Sequence, residues 1–301
     1  MRILIVGSNG QLGTDCRNIL GQEHEVCGRD IPAVDIGDEK SAAACVATEK
    51  PDVIVNCAAY TAVDACEDHV EECWRANAIG PKNLAMAARA HGCRLIHIST
   101  DYVFDGHRPP PDSYDEADAV NPLSQYGKSK LAGEQAVAET LGNHVILRTA
   151  WLYSAFGKNF LKTMLRLSLA APETERKVVN DQHGSLTWSY TLAQQIRKLL
   201  GSELTGVFHA TAEGHSTWYE GARYFLEAMD VPHRLSPCAT SEYPTRAHRP
   251  ANSILENRRL HEAGISTFVS WQEDITTFVD MYRDHLLKEA REAITAVTPS
   301  R

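Results

Sequence analysis

The chain has 301 residues, of which 43% are hydrophobic and 23% charged, and a net charge of -9 at pH 7. That composition excludes extensive disorder, and the length suits one large domain or a nucleotide-binding domain with a smaller companion. Net acidity without any Lys/Arg-rich block excludes a broad nucleic-acid or acidic-membrane surface, but not an anionic small molecule held by a few local donors.

The apolar run Ile3–Val6 is closed by glycine and is too short for a secretory signal, and no later run reaches the ~18 apolar residues of a membrane span. Cys16, Cys27, Cys45, Cys57, Cys66, Cys73, Cys93 and Cys238 are scattered, without C-x-x-C or zinc spacing. They read as small buried hydrophobes and free thiols, so a cytoplasmic location is expected.

The predicted elements alternate. "RILIV" is a strand, and "QLGTDCRNIL" has helical spacing in Leu12, Cys16, Ile19 and Leu20. "HEVCG" reads as a strand, "DEKSAAACVATEK" as a helix and "PDVIVNCAA" as a buried strand. "CEDHVEECWRANAIGPKNLAMAARAHG" reads as one long helix, "RLIHIST" as a strand, "QYGKSKLAGEQAVAETLG" as a helix and "HVILRTAWLY" as a strand. This rhythm predicts an α/β fold, a Rossmann-type doubly wound parallel sheet with helices on both faces.

The expected division is an NAD(P)-binding domain over 1–155 and a smaller α/β substrate-binding region over 156–301, part of which returns to the Rossmann core. In that region "LTWSYTLAQQIRKLL", "TWYEGARYFLEAMD" and "WQEDITTFVDMYRDHLL" look helical, "GVFHAT" looks like a strand, and "SEYPTRAHRPANS" is proline-rich. The polar, proline-rich loop 105–122 is a candidate lid, and the last residues, "AITAVTPSR", are expected to fray.

Gly7, Gly10 and Gly13 lie in "GSNGQLG", between the first strand and the first helix. Glycines there permit a tight turn, close approach of a pyrophosphate and close helix packing, while the helix N-terminus offers N–H groups to the anion. Asp30, at the end of the second strand, can accept from an adenosine ribose and favours NAD. Arg29 beside it can pair with a 2′-phosphate and favours NADP, or is simply a solvated charge, so NADPH and NADH both stay open.

Ligands of such sheets bind beyond the carboxyl ends of the strands. Three strands deliver polar residues there: Ala58 to Thr61, Ser99 to Tyr102, and Thr149 to Trp151. The helix carrying "YGKSK" starts after "NPLS", with Ser124 or Asn121 as its cap, so Tyr126 and Lys130 share a face toward the same crevice. A tyrosine with an ordinary pKa of about 10 is a poor acid at neutral pH, and a nearby ammonium lowers that value. With Thr100 holding a carbonyl and Tyr126 giving the proton, a nicotinamide opposite would supply hydride.

This arrangement resembles the extended short-chain dehydrogenase/reductase superfamily. "NCAAYTAVDACE", "STDYVFDG", "NPLSQYGKSKLAGE", "RTAWLY", "NFLKTMLRL", "VVNDQHGSLT" and "YPTRAHRPANSIL" closely resemble the dTDP-4-dehydrorhamnose reductase family, in its order, over nearly the whole chain. The resemblance implies NAD(P)H-dependent reduction of the C4 ketone of dTDP-4-dehydro-L-rhamnose to dTDP-L-rhamnose, for cell-surface polysaccharide. It assigns catalysis to Thr100, Tyr126 and Lys130, with Tyr126 as proton donor and Lys130 also on the nicotinamide ribose. It implies cofactor contacts from Asn9, Gly10, Gln11, Leu12, Asp30, Asp35, Ile36, Ala59, Tyr60 and Thr61 beside the turn glycines. It places Asp101, Tyr102 and Trp151 in the substrate site, with Arg249 a partner for the diphosphate or a structural loop arginine.

Some members bind magnesium between two subunits through two glutamates. Asp15 and Tyr190 stand at those positions here, and a tyrosine replaces a carboxylate ligand poorly, so no metal and no metal-bridged dimer is expected, only a monomer or weak homodimer. Leu186 stands where the family usually has proline, a change expected to be local. Rival readings are another nucleotide-sugar reductase or epimerase of the superfamily, and a non-catalytic binding subunit like the regulatory subunit of methionine adenosyltransferase. A pure binding subunit has no need of Thr100, Tyr126 and Lys130 together.

Overall fold

The structure, a computed structural model, describes residues 1–297. The first half alternates β1 (Arg2–Val6), α1 (Gln11–Leu20), β2 (Glu25–Arg29), α2 (Glu39–Glu49), β3 (Val53–Asn56), α3 (Val70–Trp74), α4 (Gly80–His91), β4 (Arg94–Thr100), α5 (Gln125–Thr140) and β5 (His144–Thr149). There follow β6 (Leu152–Tyr153), α6 (Phe160–Ala170), β7 (Arg176–Val179), β8 (His183–Gly184), β9 (Thr187–Trp188) and α7 (Ser189–Leu200). The chain closes with β10 (Gly206–His209), β11 (Ser216–Thr217), α8 (Trp218–Ala228), β12 (Leu235–Cys238), α9 (Arg258–Glu262) and α10 (Trp271–Val297).

The central sheet has the order β10-β5-β4-β3-β1-β2, every pair parallel. Successive residues of β1 serve opposite faces. Ile3 and Ile5 pack with Leu12, Cys16 and Ile19 of α1 and Leu192 and Ile196 of α7. Leu4 and Val6 pack with Ala42 and Val46 of α2, Leu84 and Ala88 of α4 and Val137 of α5. Burial on both faces explains why these strands are continuous apolar runs, and each fully buried aliphatic side chain contributes roughly 1.5–3 kcal/mol. β10 and α7 return to this sheet from the second half of the chain. A separate core joins α6, α8 and α10 around Trp188, Phe225 and Phe278.

β1 sits between β2 and β3, so the connections leaving the carboxyl ends of β1 and β3 diverge and open a crevice there. Gly7, with φ +76°, closes its floor: a Cβ on it would lie 2.5 Å from the Ala58 backbone nitrogen.

Four stretches differ from the sequence expectation. The long helix over 66–92 is a 3-10 turn at Ala65–Glu67, then α3, a π turn at Arg75–Ile79, and α4. Pro81 has no N–H for the carbonyl of Asn77, and Gly80 N–H instead reaches Arg75 O, five residues back. The strand over 144–153 stops at Thr149, because Trp151 adopts φ +47° and sends Leu152 and Tyr153 to pair with β9. The loop 105–122 is tied down: Tyr114 N–H donates to Ile254 O (2.8 Å), its ring stacks on Phe104 (4.4 Å), and Asn252 Nδ2 donates to the carbonyls of Arg108 and Asp112. The expected tail is helical through Val297, where Thr295 bonds back to Arg291, and its last residues, 298–301, lie outside the described ones. Among the described residues no helix is long and apolar enough to cross a membrane.

Candidate active site

The dinucleotide end of the crevice is formed largely of backbone. A Cβ on Gly13 would lie 2.1 Å from Gly7 O, so only glycine lets α1 approach the turn this closely. Gly10 is the N-cap of α1 and no side chain caps the helix, leaving the first-turn N–H groups for an anion. Beside the turn lies a cavity of about 390 Å³ lined by Gly7, Gly10, Asp30, Asp35, Ile36, Ala59 and Tyr60 among others. Asp30 is fixed by its neighbours, accepting from Asn9 N–H (3.0 Å) and Ile31 N–H (2.9 Å). Asp35 accepts from Gly37 N–H and pairs with Arg75 (2.5 Å). Arg29 turns away, onto the buried Glu49.

A second cavity, of about 500 Å³, shares Gly10, Cys57 and Ala59 with the first and is the candidate chemical centre. Gln11, Leu12, Gly13, Thr61, Thr100, Asp101, Tyr102, Tyr126, Lys130 and Trp151 all line it. Its positioning is local. Ser124 caps α5 by accepting from Gly127 N–H (3.1 Å), whereas Asn121 bonds Asp105. A Cβ on Gly127 would meet Tyr102 O at 2.2 Å, so glycine lets α5 lie against the end of β4. Tyr126 then packs edge-on against Tyr102, ring centres 5.4 Å apart, and Lys130, only 2% exposed, donates from Nζ to Ile98 O (2.6 Å). Behind the lysine, Arg148 and Glu134 form a buried bidentate pair (3.0 and 2.8 Å).

The electrostatics differ from the sequence expectation in one respect. The Tyr126 phenol is pushed above the ordinary tyrosine value by burial, with the Thr100 hydroxyl opposing and Asp101 adding to the rise. Desolvation outweighs any ammonium here, and it acts on Lys130 too, lowering that amine to about 8 against the pull of Glu134. Burial raises Asp101 to about 6, opposed by the Ser253 and Thr100 hydroxyls. Tyr126 is therefore a neutral phenol across the physiological range, the state a proton donor needs. Thr100 Oγ1 donates to Asp101 Oδ1 (2.9 Å), and Ser99 Oγ and Thr149 Oγ1 are buried on this cavity's wall with no partner among the described residues. Orphaned polar atoms in a cavity are what a polar ligand would satisfy.

A third cavity, of about 750 Å³, meets the second at Phe160, Trp218 and Arg249 and continues between α6, β7 and the proline-rich segment. Trp151 stacks on Trp218 at 3.8 Å, in room that Gly184 leaves: a Cβ there would lie 2.5 Å from the Trp151 ring. Its left-handed backbone, uncommon for a bulky residue, aims it at the junction of the two cavities. Arg249 Nη2 pairs with Asp64 (2.6 Å), and Nη1 lies 3.4 Å from Tyr102 Oη.

Sequence reasoning did not single out Trp218, Phe160, Asp64 or Asn77. Asn77 is buried at the π turn, accepting from Tyr60 N–H (2.8 Å) and donating to Tyr60 O (3.1 Å), and so holds the loop after β3 against the crevice. An Asn in a helical run carries no signal of such a clamp, whereas Trp218 at the start of a predicted helix is at least a conspicuous aromatic.

Asp15 is buried and accepts from Ser154 (2.8 Å) and Ser189, while the Tyr190 ring stacks on Trp188. Leu186 packs into the space over Gly221. Among the described residues no group of His, Cys, Asp or Glu is placed to hold a metal.

A parallel sheet with a glycine turn at the switch of strand order, and a Tyr/Lys helix crossing its carboxyl edge, defines an oxidoreductase of the short-chain dehydrogenase/reductase class. Within it, the family described as the RmlD substrate binding domain matches residues 1–284, and the chain belongs to that family. The spore coat polysaccharide biosynthesis protein SpsK of Bacillus subtilis is 36% identical, covering 92% of this chain and 96% of its own. Among solved structures, a dTDP-4-dehydrorhamnose reductase, the RfbD ortholog of Clostridium acetobutylicum, superposes with a TM-score of 0.90 at 40% identity, covering 94% of this chain and 100% of that one. The dTDP-4-dehydrorhamnose reductase of Bacillus anthracis, solved in complex with NADP, gives 0.89 at 37% identity over 93% and 99%.

Proposed function

We propose that this protein reduces the C4 ketone of dTDP-4-dehydro-L-rhamnose to dTDP-L-rhamnose with NADPH or NADH. The observation that carries the reading is the continuity of the three cavities. The glycine-lined one takes the dinucleotide, and the large one between α6 and β7 has room for a nucleoside diphosphate. The one between them holds Thr100, Tyr126 and Lys130 where the two ligands meet. Residues 1–155 then serve chiefly the dinucleotide and 156–301 chiefly the sugar nucleotide, with α7 and β10 completing the first unit. The name of SpsK supports a place in polysaccharide synthesis, and the names of the two reductases support the sugar nucleotide as substrate.

The nicotinamide, when bound, supplies hydride to C4. The chain does the rest. Thr100 turns its single hydroxyl hydrogen from Asp101 to the ketone oxygen, and Tyr126 gives that oxygen its phenolic proton as charge develops there. The phenolate left behind is reprotonated from solvent through the open cavity. Lys130 bonds the ribose next to the nicotinamide and stabilises the phenolate transiently. Asp101 and Tyr102 fix sugar hydroxyls, the Trp151 face packs on the ring, and Arg249 leaves Asp64 to bind the diphosphate.

The test is to incubate the purified protein with dTDP-4-dehydro-L-rhamnose and each reduced dinucleotide, following nicotinamide absorbance, with a UDP-linked 4-keto sugar alongside. Stoichiometric oxidation with the dTDP sugar is expected. An epimerase would leave the absorbance unchanged, and preference for the UDP sugar would refute the substrate assignment.

A further inference from the structure

We propose that Arg17, on the second turn of α1, is the residue that admits the 2′-phosphate of NADPH, and that this phosphate binds between Arg17 and the Ser8–Asn9 turn. The inference rests on the dinucleotide reading of the glycine turn and extends it to the choice between the two dinucleotides.

An adenosine ribose in this fold lies against the acidic residue that ends the second strand, here Asp30. Both oxygens of that carboxylate are tethered to backbone N–H groups, of Asn9 and Ile31. Asp30 is therefore held at the ribose edge. It suits a 2′-hydroxyl, which donates to it, and opposes a 2′-phosphate, which is a like charge beside it. A chain that accepts NADPH with Asp30 in place needs a cation within reach of the same edge.

Three arginines lie near, and two are committed. Arg29 bonds the buried Glu49 and Gly28 O, on the far side of β2. Arg75 also lines the adenosine cavity, but is paired there with Asp35. Arg17 is exposed and makes no ion pair among the described residues. Its stem crosses the bare Cα of Gly28, two residues before Asp30: a Cβ there would come within 3.1 Å of Arg17 Cδ. The guanidinium ends over the glycine turn, 3.5 Å from Ser8 O and 3.4 Å from Asn9 Oδ1. Both contacts are at the long limit of a hydrogen bond, so the group is only loosely held and keeps donors to offer. Asn9 links the pieces, because its backbone holds Asp30 and its side chain meets Arg17. A guanidinium grips phosphate through two parallel hydrogen bonds, and at an exposed site that grip is lost with the charge.

The experiment titrates NADPH and NADH separately into wild type, Arg17→Gln and Arg17→Lys, without any sugar, reading dinucleotide fluorescence. Arg17→Gln is expected to weaken NADPH about 10–100-fold and NADH less than about 2-fold, with Arg17→Lys between. NADH binding reports that the variant is folded. Equal weakening of both dinucleotides would place Arg17 on the pyrophosphate and overturn the proposal. No weakening of either, or a wild type that binds NADH alone, would also overturn it. None of these readouts depends on turnover, so a failed sugar assignment leaves the result interpretable.

Discussion

At the dinucleotide end of the crevice the wall is mostly backbone from one short stretch, Gly7 to Gly13, with Asp30 pinned beside it by two amides. At the end proposed to take the sugar the wall is side chains from five separate stretches: Thr100, Tyr126, Trp151, Trp218 and Arg249. The first end is set by the absence of side chains, so a single added methyl blocks it. The second is set by long-range packing, so its residues can be exchanged without disturbing the turn. The two ends should therefore fail in different measurements.

The largest effect belongs to the sugar end. Tyr126→Phe should lower kcat about 10²–10⁴-fold while the Kd for NADPH changes little. Loss of dinucleotide affinity on the same scale would mean that the two ends are not separable. Beneath that end, Glu134→Ala leaves Arg148 buried and uncompensated, with an expected cost of about 3–5 kcal/mol by denaturant unfolding. At the dinucleotide end, Gly13→Ala forces a methyl onto Gly7 O, which should cost about 1–3 kcal/mol and weaken both dinucleotides, leaving sugar-nucleotide affinity in place.

The smallest effect is a gain. Burial lowers the folded-state value of Lys130 from its usual 10.5 to about 8, so below pH 8 the charged amine is carried into the fold at a penalty. Lys130→Met removes that penalty and also the bond to Ile98 O, with a net stabilisation of about 1–2 kcal/mol at neutral pH. The sign follows from linkage: the unfolded chain holds more protons than the folded one between about pH 8 and 10.5, so the wild type gains stability as pH rises through that window. The advantage of the methionine variant should therefore fade over the same window. An advantage constant with pH would contradict the buried-charge account.

The same division explains what was legible in the sequence. The β/α rhythm, the glycine turn, and Tyr126 and Lys130 on one helical face are local patterns, and the structure contains the sheet and brings all of these to one crevice. α6 was not among the predicted elements, although its signal is local too: Asn159 caps it, accepting from Lys162 N–H, and Leu161, Met164 and Leu165 follow at helical spacing. What was not legible is non-local. The Trp151 turn depends on room left by Gly184 and on Trp218, both distant along the chain. Arg249 and Asp64 meet across a separation of 185 residues. The π turn needs both Pro81 and the buried clamp of Asn77 on Tyr60. The pairs β6·β9 and β8·β11 are two residues long and have no period to detect. The raised Tyr126 value came from burial, which a Tyr/Lys spacing does not reveal.

The claim that the two ends meet at the sugar's C4 is tested most directly by isotope transfer. Purified protein is supplied with dTDP-4-dehydro-L-rhamnose and NADPH carrying deuterium at the nicotinamide C4, one face at a time, and the product is read by NMR. The account predicts one deuterium at C4 of dTDP-L-rhamnose from one of the two faces, and none from the same reaction with Tyr126→Phe on the wild-type timescale. Deuterium at any other carbon, or product formed without it from either face, would contradict the account.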